Sequence, residues 1–352
     1  MLNAAVPTVG ADAPVGVSPA RSLPTALAPG ATVAVVAPAA PYSNRSDVLR
    51  GVEWWQSHGY RVRLDPGLYA RDGFFAGTAH SRAAAINAAF ADDEVDAIHC
   101  LHGGYGSTEV VPLLDYSMIA AHPKPFVGSS DVTVLHLALG KFAGLVTFYG
   151  PGLTQVARPG TPALNQDSLL RAVTDAAPLG PCPRNPDDPY LRVLGQGQAR
   201  GETVGGALWV LCMTVGTPWQ PDLTGKILLL EEIGEPPWRM DAMLTHLRQS
   251  GVLNQVVGVA VGELVDCDWS PERPETPFVL MLEDVLERQL GSLGVPCVYG
   301  FPFGHGRNKV TVPFGIDASL DTDSQTLTFE QAALTVPSPL DAGPREAVGS
   351  RS

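Results

Sequence analysis

Apolar residues are spaced differently in the two halves of the chain. In the first half, short apolar runs alternate with helical patterns. Ala31–Ala37 (ATVAVVA) reads as a buried strand ended by Pro38, and Asp47–His58 puts Val48, Val52 and Trp55 on one helical face before Gly59. Tyr60–Leu64, Asp96–Leu101, Pro125–Val127 and Val146–Tyr149 read as further strands, Ser81–Phe90 and Asp131–Leu139 as further helices. This alternation predicts an α/β fold with a doubly wound parallel sheet, in which ligands sit beyond the carboxyl ends of the strands. The second half is richer in strands: Lys226–Leu230, Val256–Val265, Cys297–Tyr299, Val310–Val312 and Thr326–Phe329, with helices at Trp238–Gln249 and Phe278–Gln289. Between the halves, Pro178, Pro181, Pro183, Pro186 and Pro189 predict a linker or long loop. The expected organisation is a flexible arm over 1–24, an N-terminal α/β domain over 25–175, a linker over 176–200, a C-terminal domain over 201–335 and a flexible tail over 336–352.

Composition narrows the class of protein. Of 352 residues, 45% are hydrophobic and 17% charged, enough apolar material for a real core and too much for general disorder. The 36 Asp and Glu against 23 Lys and Arg give a net charge of -13, which repels phosphate backbones and argues against nucleic acid as a partner. No run approaches the ~20 apolar residues of a membrane span. Residues 1–20 hold no Lys or Arg, and Pro7, Gly10, Asp12 and Pro14 interrupt any apolar stretch, so a secretory signal is not expected. Cys100, Cys182, Cys212, Cys267 and Cys297 are odd in number and form no CxxC pair, which disfavours a disulfide framework and a zinc site and fits a reduced, cytoplasmic protein.

Four places carry candidate chemistry. Gly128-Ser129-Ser130-Asp131 joins a strand to a helix, where orphan backbone N–H groups can stabilise an oxyanion; Ser129, Ser130 or Asp131 could equally just cap the helix. His102-Gly103-Gly104-Tyr105-Gly106 lets the backbone approach a ligand, or is simply a tight turn; it matches neither a P-loop nor a dinucleotide loop. Glu231 and Glu232 end a fully apolar strand, where a carboxylate is costly unless paired or exposed to solvent. His305 lies between glycines in a loop, without His or Cys neighbours for a metal site. A serine needs a base, and the base an orienting acid; Ser130, His305 and Glu231 supply all three.

At this level of detail the sequence resembles a known family. Val33–Pro41 (VAVVAPAAP), Gly103–Gly106 (GGYG), Lys124–Asp131 (KPFVGSSD), Phe148–Gly152 (FYGPG), Gly201–Leu208 (GETVGGAL), Lys226–Glu235 (KILLLEEIGE), Met240–Leu244 and Gly300–Gly315 (GFPFGHGRNKVTVPFG) occur in the order found in the LD-carboxypeptidases, the murein tetrapeptide carboxypeptidase family of serine peptidases, which includes the microcin C immunity peptidase. The resemblance implies a flavodoxin-like N-terminal domain, a strand-rich mixed α/β C-terminal domain, a site between them and a homodimer. It also implies Ser130 as nucleophile, Glu231 and His305 as its partners, the backbone N–H groups of Gly104 and Asp131 as oxyanion donors, and no metal or organic cofactor. His102, Tyr105, Ser129 and Arg307 become candidates for substrate binding.

The implied activity is hydrolysis of an amide at the C-terminal end of a small peptide, first of all the L,D bond of murein tetrapeptide, through an acyl-enzyme. The alternatives are a self-immunity hydrolase acting on a peptidyl or aminoacyl nucleotide amide, and a non-catalytic binding protein that keeps the cleft. The chain departs from its relatives at His102 and Glu109 or Val110, where many carry Arg, at Ser129, where many carry Tyr or His, and at Ala207, the third position of a GGN motif. With only Arg307 as a nearby cation, weak activity on a free D-alanine end is expected.

Overall fold

The computed structural model describes residues 19–269 and 280–337. Fourteen strands appear among them. Thr32–Val36 (β1), Arg61–Leu64 (β2), Ala97–Cys100 (β3), Phe126–Gly128 (β4) and Thr147–Tyr149 (β5) come first. Gly180–Pro181 (β6), Arg192–Gly195 (β7), Gln198–Ala207 (β8), Lys226–Ile233 (β9), Gly258–Val265 (β10) and Cys297–Gly304 (β11) follow, then Val312–Phe314 (β12), Asp317–Asp321 (β13) and Thr326–Phe329 (β14). The first sheet runs β2-β1-β3-β4-β5, all parallel, with β12 added antiparallel beside β5. This is the flavodoxin-like order, in which ligands gather where the strand order reverses. The five residues of β1 are all buried, as a central strand with helices on both faces requires.

Helices Arg45–Ser57 (α1) and Ala79–Ala91 (α2) start at Asn44 and Thr78, whose side chains accept the N–H of Ser46 and Ser81. Tyr116–Ala121 (α3), Thr133–Ala138 (α4), Leu153–Val156 (α5) and Ala163–Thr174 (α6) complete this layer.

The second sheet is mixed. Strands β8-β9-β10-β11 are parallel, and β13, β14, β6 and β7 extend the edges antiparallel. Leu208–Thr214 (α7), Pro237–Gln249 (α8) and Leu282–Gln289 (α9) cover one face with an apolar layer that includes Leu211, Leu244 and Leu286. One core cluster joins the sheets: Val33, Phe148 and Tyr149 from the first pack in it with Leu229, Ala260 and Phe301 from the second.

Three expectations about organisation change. Of the arm expected over 1–24, residues 1–18 lie outside the described residues, but Ser22 bridges to Leu145 and Arg21 pairs with Glu202, so residues 19–24 are packed on the molecule. The segment expected as a linker supplies β6 and β7, so its prolines sit beside sheet-edge strands, which tolerate a missing N–H. The strand expected at Val310–Val312 is β12, and it crosses back to the first sheet. The tail from 338 onward and residues 278–279 of the expected ninth helix lie outside the described residues.

Candidate active site

The Ser130 side is built from backbone. β4 ends at Gly128, and the chain turns through Ser129 into a 3₁₀ turn over Ser130–Val132 and then α4. Ser130 has φ +64, in the left-handed region that a side chain normally avoids. Its N–H donates to the Tyr149 hydroxyl at 2.8 Å. No side chain caps this helix start, so the plain capping alternative drops out. Asp131 turns away from its own helix and accepts the Ser107 N–H at 2.7 Å. Burial pushes its carboxyl pKa up, against the opposing effect of Ser107 and Arg82.

The glycine loop lies directly against Ser130. A Cβ on Gly103 would stand 2.6 Å from the Ser130 Cβ. Gly104 has φ +113, and its N–H has no acceptor among the described residues. Arg82, almost fully buried in α2, fixes the loop: its Nη1 donates to Pro38 O and Gly106 O, both at 2.7 Å, and its Nη2 to Glu109 at 2.9 Å. An Arg fork with several carbonyl acceptors is a rigid brace.

The Glu231 and His305 side is built from side chains. Glu231, with no solvent exposure, ends the apolar run of β9. Its Oε2 accepts from His305 Nδ1 at 2.6 Å and its Oε1 from the Tyr149 hydroxyl at 2.5 Å. A carboxylate only accepts, so Nδ1 carries the proton and Nε2 of the neutral ring is the free base. Gly304 makes room, since a Cβ there would lie 2.6 Å from Glu231 Oε2. Glu232 points to the opposite face, as strand alternation requires, and accepts the Trp209 N–H at 2.6 Å at the start of α7. Burial pushes its pKa up to about 7. Among the described residues no hydrogen bond joins Ser130 Oγ to His305; the two are linked through Tyr149 and Glu231.

The candidate binding residues are less concentrated. His102 Nε2 donates to Ala40 O at 3.0 Å, and its ring meets the Tyr42 ring edge-on; burial lowers its pKa. Tyr105 is exposed and stacks on Phe75. Ser129 is the extended residue before the turn. Arg307 is exposed and paired with Asp187 at 3.0 Å, and Glu109 is held by Arg82, so neither faces the triad as a free charge. Ala207 is buried, its N–H given to Thr133 Oγ1.

Several residues of the site were not singled out in the sequence. Tyr149 stands at the carboxyl end of β5 inside the FYGPG segment, a position that the fold class alone marks as facing ligands. Lys309, four residues after His305, has no side-chain partner among the described residues. Burial lowers its pKa, while Glu231 and Glu263 act in the opposite sense. Asn185 clasps the proline-rich segment to the His305 loop, donating to Glu263 at 2.6 Å and accepting from Asn308 at 2.9 Å. Glu263 also lines a cavity of about 560 Å³ with Asp188, Glu283, Tyr190 and Tyr299.

Residues 33–150 match the sequence profile of the LD-carboxypeptidase N-terminal domain, and residues 200–320 that of the LD-carboxypeptidase C-terminal domain. The chain belongs to the LD-carboxypeptidase family. It is a peptidase-type enzyme of the serine class. A putative carboxypeptidase of Streptomyces coelicolor is 40% identical, covering 89% of this chain and 98% of its own. A probable murein peptide carboxypeptidase of Bacillus subtilis is 36% identical over 87% of this chain and 94% of its own. The microcin C7 self-immunity protein MccF of Escherichia coli is 26% identical over 88% and 96%. A solved structure of MccF in complex with aspartyl sulfamoyl adenosine superimposes with a TM-score of 0.77 at 25% identity, covering 89% of this chain and 100% of that one. Among the described residues no helix is long and apolar enough to cross a membrane.

Proposed function

We propose that this LD-carboxypeptidase-family enzyme removes the C-terminal residue of murein tetrapeptide, cutting an L,D amide with Ser130, His305 and Glu231. The observation that carries this reading is the fully buried Glu231 carboxylate on His305 Nδ1, which leaves Nε2 as a base, and its connection through the Tyr149 hydroxyl to a serine held at φ +64. Ser130 Oγ attacks the scissile carbonyl carbon while His305 Nε2 takes its proton. The oxygen that becomes negative is met by the N–H groups of Gly104 and Asp131. His305 then gives its proton to the leaving nitrogen, the C–N bond breaks, and the terminal amino acid departs. Water, deprotonated by His305, attacks the acyl ester and restores Ser130.

The substrate assignment is supported by the 36% identity to a relative named for murein peptide. The thin cationic environment expected from His102, Glu109 and Arg307 needs revision. Lys309, whose side chain has no partner among the described residues and whose charged form Glu231 favours, is the group we assign to a substrate's terminal carboxylate. The acidic cavity at Glu263 and Asp188 suits an amine on the same peptide. Ordinary activity on the tetrapeptide is therefore expected. The cytoplasmic homodimer implied by the resemblance is retained in this reading.

The test is turnover of murein tetrapeptide followed by mass spectrometry of the products. Ser130→Ala should lower kcat by about 10⁴-fold or more with the melting temperature preserved. Release of an amino acid only from aminoacyl sulfamoyl nucleotides, with the tetrapeptide left intact, would instead favour the self-immunity activity named for MccF. Full activity in Ser130→Ala would overturn the nucleophile.

A further inference from the structure

We propose that Tyr149 is a positioning residue that joins the two halves of the catalytic apparatus, setting both the backbone of Ser130 and the basicity of Glu231 toward His305. The inference rests on the triad reading above and adds to it a fourth side chain from the first sheet.

The geometry fixes the direction of every bond. The Ser130 N–H can only donate, so at 2.8 Å it uses a lone pair of the Tyr149 hydroxyl. The hydroxyl proton is then free for Glu231 Oε1 at 2.5 Å. Glu231 Oε2 is already taken by His305 Nδ1 at 2.6 Å. The result is a continuous line, Ser130 N–H to Tyr149 to Glu231 to His305, crossing from β4 and β5 of one sheet to β9 and β11 of the other. Tyr149 is about 1% exposed, and its ring stacks on Phe314 of β12 and lies against His136 of α4, so the hydroxyl cannot swing away. Burial and the neighbouring Glu231 push the hydroxyl pKa far up, which keeps the proton on oxygen and the bond pointing to the carboxylate.

Two consequences follow. The left-handed backbone at Ser130 is held from behind by a hydrogen bond that leaves the next N–H, that of Asp131, free to face the developing oxyanion. And a hydrogen bond to Glu231 draws charge from the oxygen facing His305, so the imidazolium is less stabilised than it would be by a bare carboxylate. Around His305 the other charged groups are Glu232 on β9, Glu263 on β10 behind Gly306, and Lys309 on its own loop. Changing Tyr149 alters none of their charges.

The experiment measures the pH dependence of Ser130 labelling by a fluorophosphonate, which needs no knowledge of the substrate. In Tyr149→Phe, labelling should slow about ten- to a hundredfold, the loss of a hydrogen bond to a charged group. Its acidic limb should move to higher pH by about one unit. Replacing Tyr149 by 3-fluorotyrosine, a stronger donor of the same shape, should move the limb to lower pH; this arm stands even if Tyr149→Phe fails to fold. If the wild-type enzyme is not labelled at Ser130, the triad reading is at fault. If it is labelled, but Tyr149→Phe reacts at the wild-type rate or neither hydroxyl variant moves the limb, Tyr149 is a core residue and the inference is wrong.

Discussion

The two sides of the active site are held by different means. On the first sheet, the serine side is a backbone construction: a positive φ at Ser130, Gly103 lying directly against it, and a glycine loop braced by Arg82. On the second sheet, the base side is a side-chain construction: a buried carboxylate and an imidazole, with Gly304 providing only space. The difference teaches where each side can be damaged. The serine side should respond to added volume at positions that carry no functional group. The base side should respond to the loss of one charge.

After loss of the nucleophile itself, the largest expected effect is on the base side. Glu231→Gln keeps the shape but removes the charge and turns one of the two acceptor oxygens into a donor, so Tyr149 and the His305 Nδ1–H can no longer both be accepted, and kcat should fall by about 10³- to 10⁴-fold. Glu232→Gln should stay within about tenfold of wild type, because Glu232 faces α7 and not His305. A steady-state comparison of the two variants on one substrate checks the strand register; a larger loss in Glu232→Gln would reverse the assignment.

The next effect breaks the serine side without touching a functional group. Gly103→Ala would place a methyl 2.6 Å from the Ser130 Cβ and 3.0 Å from Ser129 O. The nucleophile must move, and a displacement approaching 1 Å costs about 10²-fold in rate. Circular dichroism should show the fold intact while turnover falls; normal turnover would mean that the glycine loop is not in register with the elbow.

The smallest effect concerns stability. Burial raises the Glu232 pKa to about 7 in the folded protein, above its unfolded value. The folded state then binds more protons than the unfolded one between roughly pH 4.5 and 7, so this group's contribution is fullest at low pH and is lost as pH rises through about 7. Glu232→Gln removes that titration. Its melting temperature, relative to wild type, should therefore improve steadily from pH 5 to pH 8; a constant difference would show that Glu232 is charged throughout.

Much of this comparison was legible in the sequence, and the reason differs by element. β1 and β9 are continuous apolar runs, so their burial and their strand ends could be read directly, and with them Glu231. Sequential spacing also marked Ser130 at a strand-to-helix turn. β8 was not read as a strand, because GETVGGA has only Thr203 and Val204 as β-branched residues and its three glycines look like a loop. Those glycines instead allow close approach: Gly206 sits against Thr133 of α4, directly behind the nucleophile turn. Tyr149 and Arg82 were missed for a different reason. Their roles depend on partners far along the chain, Glu231 for Tyr149 and Gly106 for Arg82, and no local pattern announces a buried hydrogen bond.

One topological detail has a bearing on biosynthesis. The strand that closes the first sheet, β12, is made late, after the whole second sheet except β13 and β14. As the nascent chain leaves the ribosome, β5 therefore waits with an open edge, and an open edge invites pairing with other chains. The segment that finally covers it begins just beyond the His305 loop. Closing that edge and delivering the proposed base, His305, are thus the same step, so a truncated chain that lacks β12 is expected to be both inactive and prone to self-association.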